Sequence, residues 1–294
     1  CIFTNNRARS AGAVHIRSAV VTFQSCVFRN NLAESHGGAG LETGDSLVKF
    51  INCVFEDNIA NAEDSTNGKG GAYLGWESGY FYRCIFKRNT AFNGGALCLE
   101  EKSIIANCLF ENNFANSKGG AIYASSPFST YYEGWVGTHR IDHCTFINNQ
   151  APEGPVIYLS GEMRLQNDLM PNAGDEPIKA VAREVSGWGL IPSSLNISGV
   201  LYDDPHFADP VHGDYRLMPD SPAIDANGLD TGAPELYSPD LGGTARPIGA
   251  NWDLGAYEYD PQADSDGDGL INDDEWNTHH THPYKADTDG DYVS

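Results

Sequence analysis

The phrase Cys-x-Phe-x-x-Asn-x-Ala occurs six times without a slip in register, beginning at Cys1, Cys26, Cys53, Cys84, Cys108 and Cys144. Phe stands two residues after each Cys (Phe3, Phe28, Phe55, Phe86, Phe110, Phe146), Asn at the sixth place (Asn6, Asn31, Asn58, Asn89, Asn113, Asn149) and Ala at the eighth (Ala8, Ala33, Ala60, Ala91, Ala115, Ala151). Successive copies start between 24 and 36 residues apart, so spacing is constant inside a copy and variable between copies. Buried-type and turn-type residues at fixed offsets within such a period are what stacked solenoid coils produce. The repeat defines a scaffold and names no reaction.

Large apolar residues lie three places before five of the Cys (Phe23, Phe50, Phe81, Ile105, Ile141). After each Asn-x-Ala comes a small-residue turn, clearest at Gly37-Gly38-Ala39, Gly70-Gly71-Ala72, Gly94-Gly95-Ala96 and Gly119-Gly120-Ala121, and then a short apolar run. Cys and Phe at i and i+2 follow strand periodicity, Gly-Gly supplies conformations other residues resist, and no segment sustains a helical period. The expected fold class is all-β: a right-handed parallel β-helix over residues 1–195, each strand pairing with its own copies about 4.8 Å above and below. The Phe, Cys and Ala columns then fill the lumen, and the Asn column sits at a turn where each amide bonds the next coil. The copies are too short for propeller blades and far longer than hexapeptide rungs.

The Phe-x-x-Asn and Gly-Gly-Ala pairing resembles the repeats of bacterial polymorphic outer membrane proteins and related right-handed β-helix proteins, a likeness that implies the fold and no activity. Further on, Asp204-Pro205-His206-Phe207, Gly213-Asp214-Tyr215-Arg216-Leu217, Ser221-Pro222-Ala223-Ile224-Asp225, Arg246-Pro247 and Asp253-Leu254-Gly255-Ala256-Tyr257-Glu258 are similar to the terminal segment of secreted bacterial β-helix proteins termed choice-of-anchor Q. Residues 196–260 are therefore expected to form an irregular cap closing the last coil, which otherwise presents unpaired backbone and a wet lumen. Arg246, Asp225 and Asp253 either make a buried ion pair inside that cap or form a site. The stretch 161–195 shows no copy of the repeat and reads as an insertion between coils, with a short helix expected from Ile178 to Val185.

Residues 261–294 differ in kind. The run from Asp264 to Glu275 matches every position of the Asp-x-Asp-x-Asp-Gly calcium loop. Calcium takes several hard oxygen ligands: Asp264, Asp266 and Asp268 converge because Gly269 permits the sharp turn, Leu270 offers its carbonyl, Asn272 binds directly or through water, and Glu275 closes the set. A second copy starts at Asp287, Asp289 and Asp291, with Tyr292 in place of the expected Gly. The pair resembles bacterial thrombospondin type 3 repeats more than an EF-hand, since no amphipathic helix precedes Asp264. The expected cofactor is calcium.

The formal net charge is −22, and residues 260–294 hold nine Asp and one Glu against a single Lys. Such a surface argues against nucleic acid and anionic lipid, and against a polyanionic substrate unless calcium bridges the two. No apolar run approaches the length of a transmembrane helix. Six of the seven Cys share one column, a geometry suited to buried thiols rather than bridges, while Cys98 belongs to another sheet. No Cys-x-x-Cys or paired-His spacing suggests zinc.

Catalytic patterns are absent from the sequence: the strands after Gly-Gly-Ala bring no two acids to neighbouring rungs, and galacturonase-like Asn-Thr-Asp, Asp-Asp and Arg-Ile-Lys motifs do not occur. Glu100, Glu101 and Lys102 at a turn read as solvated. Loops carry Trp76, Tyr80, Tyr131, Tyr132 and Trp135, aromatic faces that either stack on sugars and dock proteins or cover an apolar sheet. The functional expectation is a non-catalytic secreted or cell-surface protein engaged in adhesion, its partner a polysaccharide or a matrix protein. The alternative is a polysaccharide lyase or glycoside hydrolase acting on acidic polysaccharide. Because the chain opens inside a repeat, it reads as a piece of a longer protein.

Overall fold

Each of the first five copies of the repeat folds into one coil of four short strands, and these strands pair in parallel with their copies in adjacent coils. The computed structural model describes residues 1–61, 68–77, 79–125, 138–185, 189–191, 193–226 and 237–288. Four parallel sheets result: six strands built on Cys-x-Phe, five on the Ala column, seven that follow Gly-Gly-Ala and seven that precede Cys. Register is set by identity, with Phe28 opposite Phe55, Phe55 opposite Phe86 and Phe86 opposite Phe110.

Stacked like residues make the core. Phe3, Phe28, Phe55, Phe86, Phe110 and Phe146 form one file with ring centroids 4.7–5.0 Å apart. A second file, Phe23, Phe50 and Phe81, meets it edge-on at 5.2–5.6 Å. Offset stacking and edge-to-face contact are the two arrangements aromatic quadrupoles favour, and each buried ring adds roughly 1.5–3 kcal/mol of transfer free energy.

Corners are cut by left-handed residues at two fixed places. One is the residue before Cys (Ser25, Asn52, Arg83, Asn107, His143), continued by Asn167 before Asp168, and the other is the residue before the repeat Asn (Asn5, Asn30, Asp57, Arg88, Asn112, Asn148). The Gly-Gly turn divides its labour. Gly70 has φ +68°, whereas Gly71 lies so close to the next coil that an added Cβ would sit 2.0 Å from the Gly95 carbonyl oxygen.

The Asn column works because an amide both donates and accepts. Asn89 Nδ2 donates to Asn113 Oδ1 at 3.0 Å and to the Phe55 carbonyl at 2.9 Å, while its Oδ1 accepts from the Asn58 backbone N–H and side chain. The same pattern links Asn31, Asn58, Asn113 and Asn149. All seven cysteines are free. In the column, Cys84 N–H donates to Cys108 Sγ, and Cys84 Sγ to the Phe50 carbonyl. Cys98 is buried elsewhere, among Leu41, Leu74 and Tyr123 on the outer face of the post-glycine sheet.

Three expectations need correction. The stretch 161–195 is not an insertion: Glu162–Gln166 and Ser194–Ser198 extend the pre-cysteine sheet, and Leu165 continues the Phe81, Ile105 and Ile141 column. Asp168 stands where the next Cys belongs, and its carboxylate accepts the Cys144 N–H at 2.7 Å. Ile178 to Val185 is not a helix. Ile178–Ala180 pairs with Ile157–Leu159 because Ile178 extends the Ile122 and Ile157 column, and Arg183–Val185 then pairs antiparallel with Gly189–Ile191.

The third correction concerns the segment after residue 201, which lies along the flank of the helix rather than over its end. Tyr215, Phe207, Leu241 and Tyr257 cover the outward residues Ile85, Leu109 and Ile147, while Leu217, Ala223, Leu254 and Tyr259 cover Leu169 and Leu201. The reason is visible in the motif: the x of Cys-x-Phe points outward yet is Ile85, Leu109 and, with Asp168 replacing Cys, Leu169. Apolar outward rows need cover. Beside the last coil a cavity of about 500 Å³ remains, bordered by Ile178, Leu195, Ile197 and Tyr202.

Replacing Asn89 with Ala removes two donated bonds and strands the Asn58 N–H and amide, so urea unfolding should show a loss of roughly 2–5 kcal/mol. The same change at Asn6, exposed on the first coil, should cost markedly less.

Candidate metal centre and recognition surfaces

Asp264, Asp266 and Asp268 each bring one carboxylate oxygen to a common point, all within 4.8 Å of one another. The backbone forces this convergence. Gly267 and Gly269 have φ +84° and +98°, and their N–H groups donate to the Asp264 carboxylate at 2.7 and 3.0 Å. Asp268 N–H donates to Asp266, and Leu270 N–H to Asp268. The chain then turns into a single helical turn, Asn272–Asp274, and a π-turn, Glu275–His279, which buries Glu275 completely. The residues before Asp264 are not helical, in keeping with a loop that is not an EF-hand.

Three buried oxygens here lack any hydrogen-bond partner: Asp266 Oδ2, Asn272 Oδ1 and Glu275 Oε2. They stand at positions three, nine and twelve of the loop. Burial, followed by the neighbouring carboxylates, pushes the Glu275 carboxyl above its ordinary range, and burial does the same to Asp266. Buried carboxylates without a partner are costly, and a hard divalent cation is the kind of partner such oxygens take; those that converge within 4.8 Å belong to Asp264, Asp266 and Asp268. The donor set is oxygen only, so it fits calcium. Of the second copy, Asp287 is half-buried, and Asp289 and Asp291 lie outside the described residues.

The flank segment holds the other polar constellation, and the ion pair expected there has a different partner. Arg246 Nε donates to Glu258, not to Asp225 or Asp253, at 2.9 Å with both side chains fully buried. Its remaining N–H groups reach Asn107 Oδ1 and the carbonyls of Asp253 and Gly255. Asp253 instead accepts the N–H groups of Asp225 and Tyr259, and Asp225 accepts that of Asn251. Burial and then the charge of Glu258 push Asp253 up to about 7. The carboxylates accept backbone N–H groups and the guanidinium is divided between Glu258, Asn107 and two carbonyls, so these side chains tie the segment to itself and to the coil.

Next to it, His143 is sealed between the coil and the flank. A carbonyl can only accept, so Nδ1 donates to Asp253 O at 3.2 Å and Nε2 accepts from the Asn167 amide at 3.0 Å. That tautomer is neutral, and burial together with Arg246 depresses the imidazole well below its usual value. Asp142, also fully buried, takes a 2.7 Å hydrogen bond from Tyr237 and lies 3.3 Å from Arg140.

Of the aromatic candidates, Trp76 is 47% exposed at the corner between the post-glycine and pre-cysteine sheets. Tyr80 points outward from the pre-cysteine sheet, with the Lys49 ammonium 5.8 Å from its ring and Tyr82 stacked beside it at 6.5 Å. Tyr131, Tyr132 and Trp135 lie outside the described residues. The same corner carries an acidic row that the sequence reading missed: Asp45, Glu77 and Glu101 fall on successive coils and feel one another's charge. Burial and the neighbouring carboxylate raise Glu77 and Glu101 above the ordinary carboxyl range. Variable loop lengths hid the alignment. Glu100 is not simply solvated either, since it pairs with Lys69 at 2.8 Å.

Residues 1–179 match the family described as right handed beta helix region. The chain belongs to that family. Neither curated proteins nor solved structures gave a match. Among the described residues, no helix is long and apolar enough to cross a membrane.

Removing the Arg246 charge strands Glu258 in a buried site. Arg246→Met should therefore lower the unfolding free energy by about 3–5 kcal/mol in chemical denaturation, and Arg246→Met/Glu258→Gln, which removes the charge and keeps an acceptor for the backbone N–H groups that Glu258 holds, should recover part of it.

Proposed function

We propose that this is a secreted or surface-attached β-helix protein that binds glycan or matrix protein, with a C-terminal loop stiffened by calcium. The observation that carries the reading is the loop's trio of buried, unpartnered oxygens on Asp266, Asn272 and Glu275 beside the clustered carboxylates of Asp264 and Asp268. Oxygen-only sites of modest affinity suit compartments where calcium is abundant, which supports an extracellular or bacterial cell-surface location. Resemblance of the C-terminal motifs to choice-of-anchor Q segments and thrombospondin type 3 repeats points the same way. Exposed Trp76, with Tyr80 and Lys49 on the adjoining rigid sheet, supports stacking on a sugar ring or docking of a protein.

A second reading, cleavage of acidic polysaccharide, draws support from the Asp45, Glu77 and Glu101 row, since carboxyl groups raised above their ordinary range and set beside one another are what general acid–base chemistry uses.

Isothermal titration should show calcium binding in the wild-type chain and its loss in Glu275→Gln. Absence of heat above an Asp264→Ala/Asp268→Ala control would sink the metal assignment. On a glycan array, Trp76→Ala should abolish binding with melting unchanged, whereas lost stability assigns Trp76 to packing. New reducing or unsaturated ends that vanish in Glu77→Gln would replace recognition by catalysis.

A further inference from the structure

The candidate metal loop is closed on itself and anchored at both ends to the flank of the β-helix. At its opening, Tyr259 is 7% exposed and packs with Leu217, Leu254 and Leu169. The loop's exit is bonded to that opening: Asn272 Nδ2 donates to the Asp260 carbonyl at 2.7 Å, Asn272 N–H to Ala263 O and Asp273 N–H to Pro261 O. After the π-turn, Thr281 donates back to the Glu275 carbonyl and carboxylate. The chain then returns to the flank. Tyr284 O–H donates to the Leu217 carbonyl at 2.8 Å, and its ring lies 4.0 Å from the Arg216 guanidinium, which Asp214 holds by hydrogen bonds of 2.6–3.2 Å. Lys285 adds a long contact to Asp209.

This path has an energetic consequence. Glu275 is tied through its carbonyl and one carboxylate oxygen to Thr281, at the start of the segment that seats Tyr284, while Glu275 Oε2 and Asn272 Oδ1 are buried with no hydrogen-bond partner. Undocking the return segment would hydrate Glu275, so without a cation closure is penalised. A cation reverses the sign. It binds better when Asn272 and Glu275 are already in place, and closure is favoured once it is bound; by linkage the two effects are equal.

We propose that cation binding at Asp264–Glu275 and docking of Tyr284 on the Phe207–Leu217 hairpin are one coupled event, with Tyr284 and Arg216 as positioning residues for a metal site they do not touch. The proposal rests on the calcium reading. It makes the loop a calcium-dependent latch on the flank segment rather than a free acidic tail.

The test uses the full chain and calcium alone as probe. Tyr284→Ala should weaken calcium binding about tenfold, the size of a typical coupling, and Tyr284→Phe, which keeps the ring on Arg216, should restore most of it. Calcium should slow tryptic cleavage after Lys285 in the wild type and leave the rate in Tyr284→Ala nearly unchanged. Wild-type calcium affinity in Tyr284→Ala, or cleavage indifferent to calcium in a wild type that binds it, overturns the coupling and leaves the calcium site standing. A wild type that binds no calcium removes both. Arg216→Gln provides an independent arm: an unchanged affinity there removes Arg216 from the positioning role.

Discussion

Parallel pairing of each coil with its neighbour, about 4.8 Å away, obliges every side chain to live with its own copy. Whatever a residue does to itself at that distance is multiplied along the axis. Phenylalanine stacks on itself at 4.7–5.0 Å, and asparagine donates to and accepts from itself. A thiol tolerates the stack as well, because Cys108 Sγ accepts the Cys84 N–H and donates to the Phe81 carbonyl, both of the preceding coil. With the small Ala of the eighth place, these residue types are the constant part of the repeat.

Charge is rarely repeated this way, Arg140 opposite Arg164 with Asp142 between them being one instance, and the outer faces show how the chain copes. On the Phe sheet, Arg29 meets Glu56 at 2.6 Å and Lys87 meets Glu111 at 2.8 Å, opposite signs alternating from rung to rung. Such pairs avoid the cost of stacking like charges, and the more exposed one, Arg29 with Glu56, contributes little to stability. Exceptions are the acids at the Trp76 corner, where Glu77 lies between Asp45 and Glu101, and the loop at Asp264–Glu275. Both hold like charges together against their repulsion. The loop also has the geometry to receive a compensating ion.

Covering the flank is the second demand the coils impose. Outward Ile85, Leu109, Ile147 and Leu169 make an apolar stripe that the segment from Phe207 to Tyr259 seals, with Arg246 and Glu258 satisfying its irregular backbone. Asp253, Glu258 and His143 are buried to do this, and the last is held neutral between a carbonyl and an amide. Polar groups of this kind are easily mistaken for a site when only their order along the chain is known.

How far the chain could be read without coordinates follows from the range of each interaction. Phe86, Asn89, Cys84 and the Gly70-Gly71 turn were legible because their partners are copies at a fixed period, and the spacing of Asp264 to Glu275 was legible because a loop is local. The coil through Asp168 was not, since Asp replaces Cys there and Ile178 reads as part of a helix until it lands in the Ile157 column. Nor could sequence order reveal that Arg246 chooses Glu258 over Asp225, that Asp45, Glu77 and Glu101 line up, or that Tyr284 returns to Leu217. By itself the sequence determined the solenoid and its self-complementary columns, because translation by one coil is a symmetry written into the spelling. Tertiary structure alone decided that the C-terminal segment lies along the side and that Glu275 is buried with one carboxylate oxygen unpartnered, because contacts between unlike segments obey no period and depend on which surfaces the stack leaves apolar.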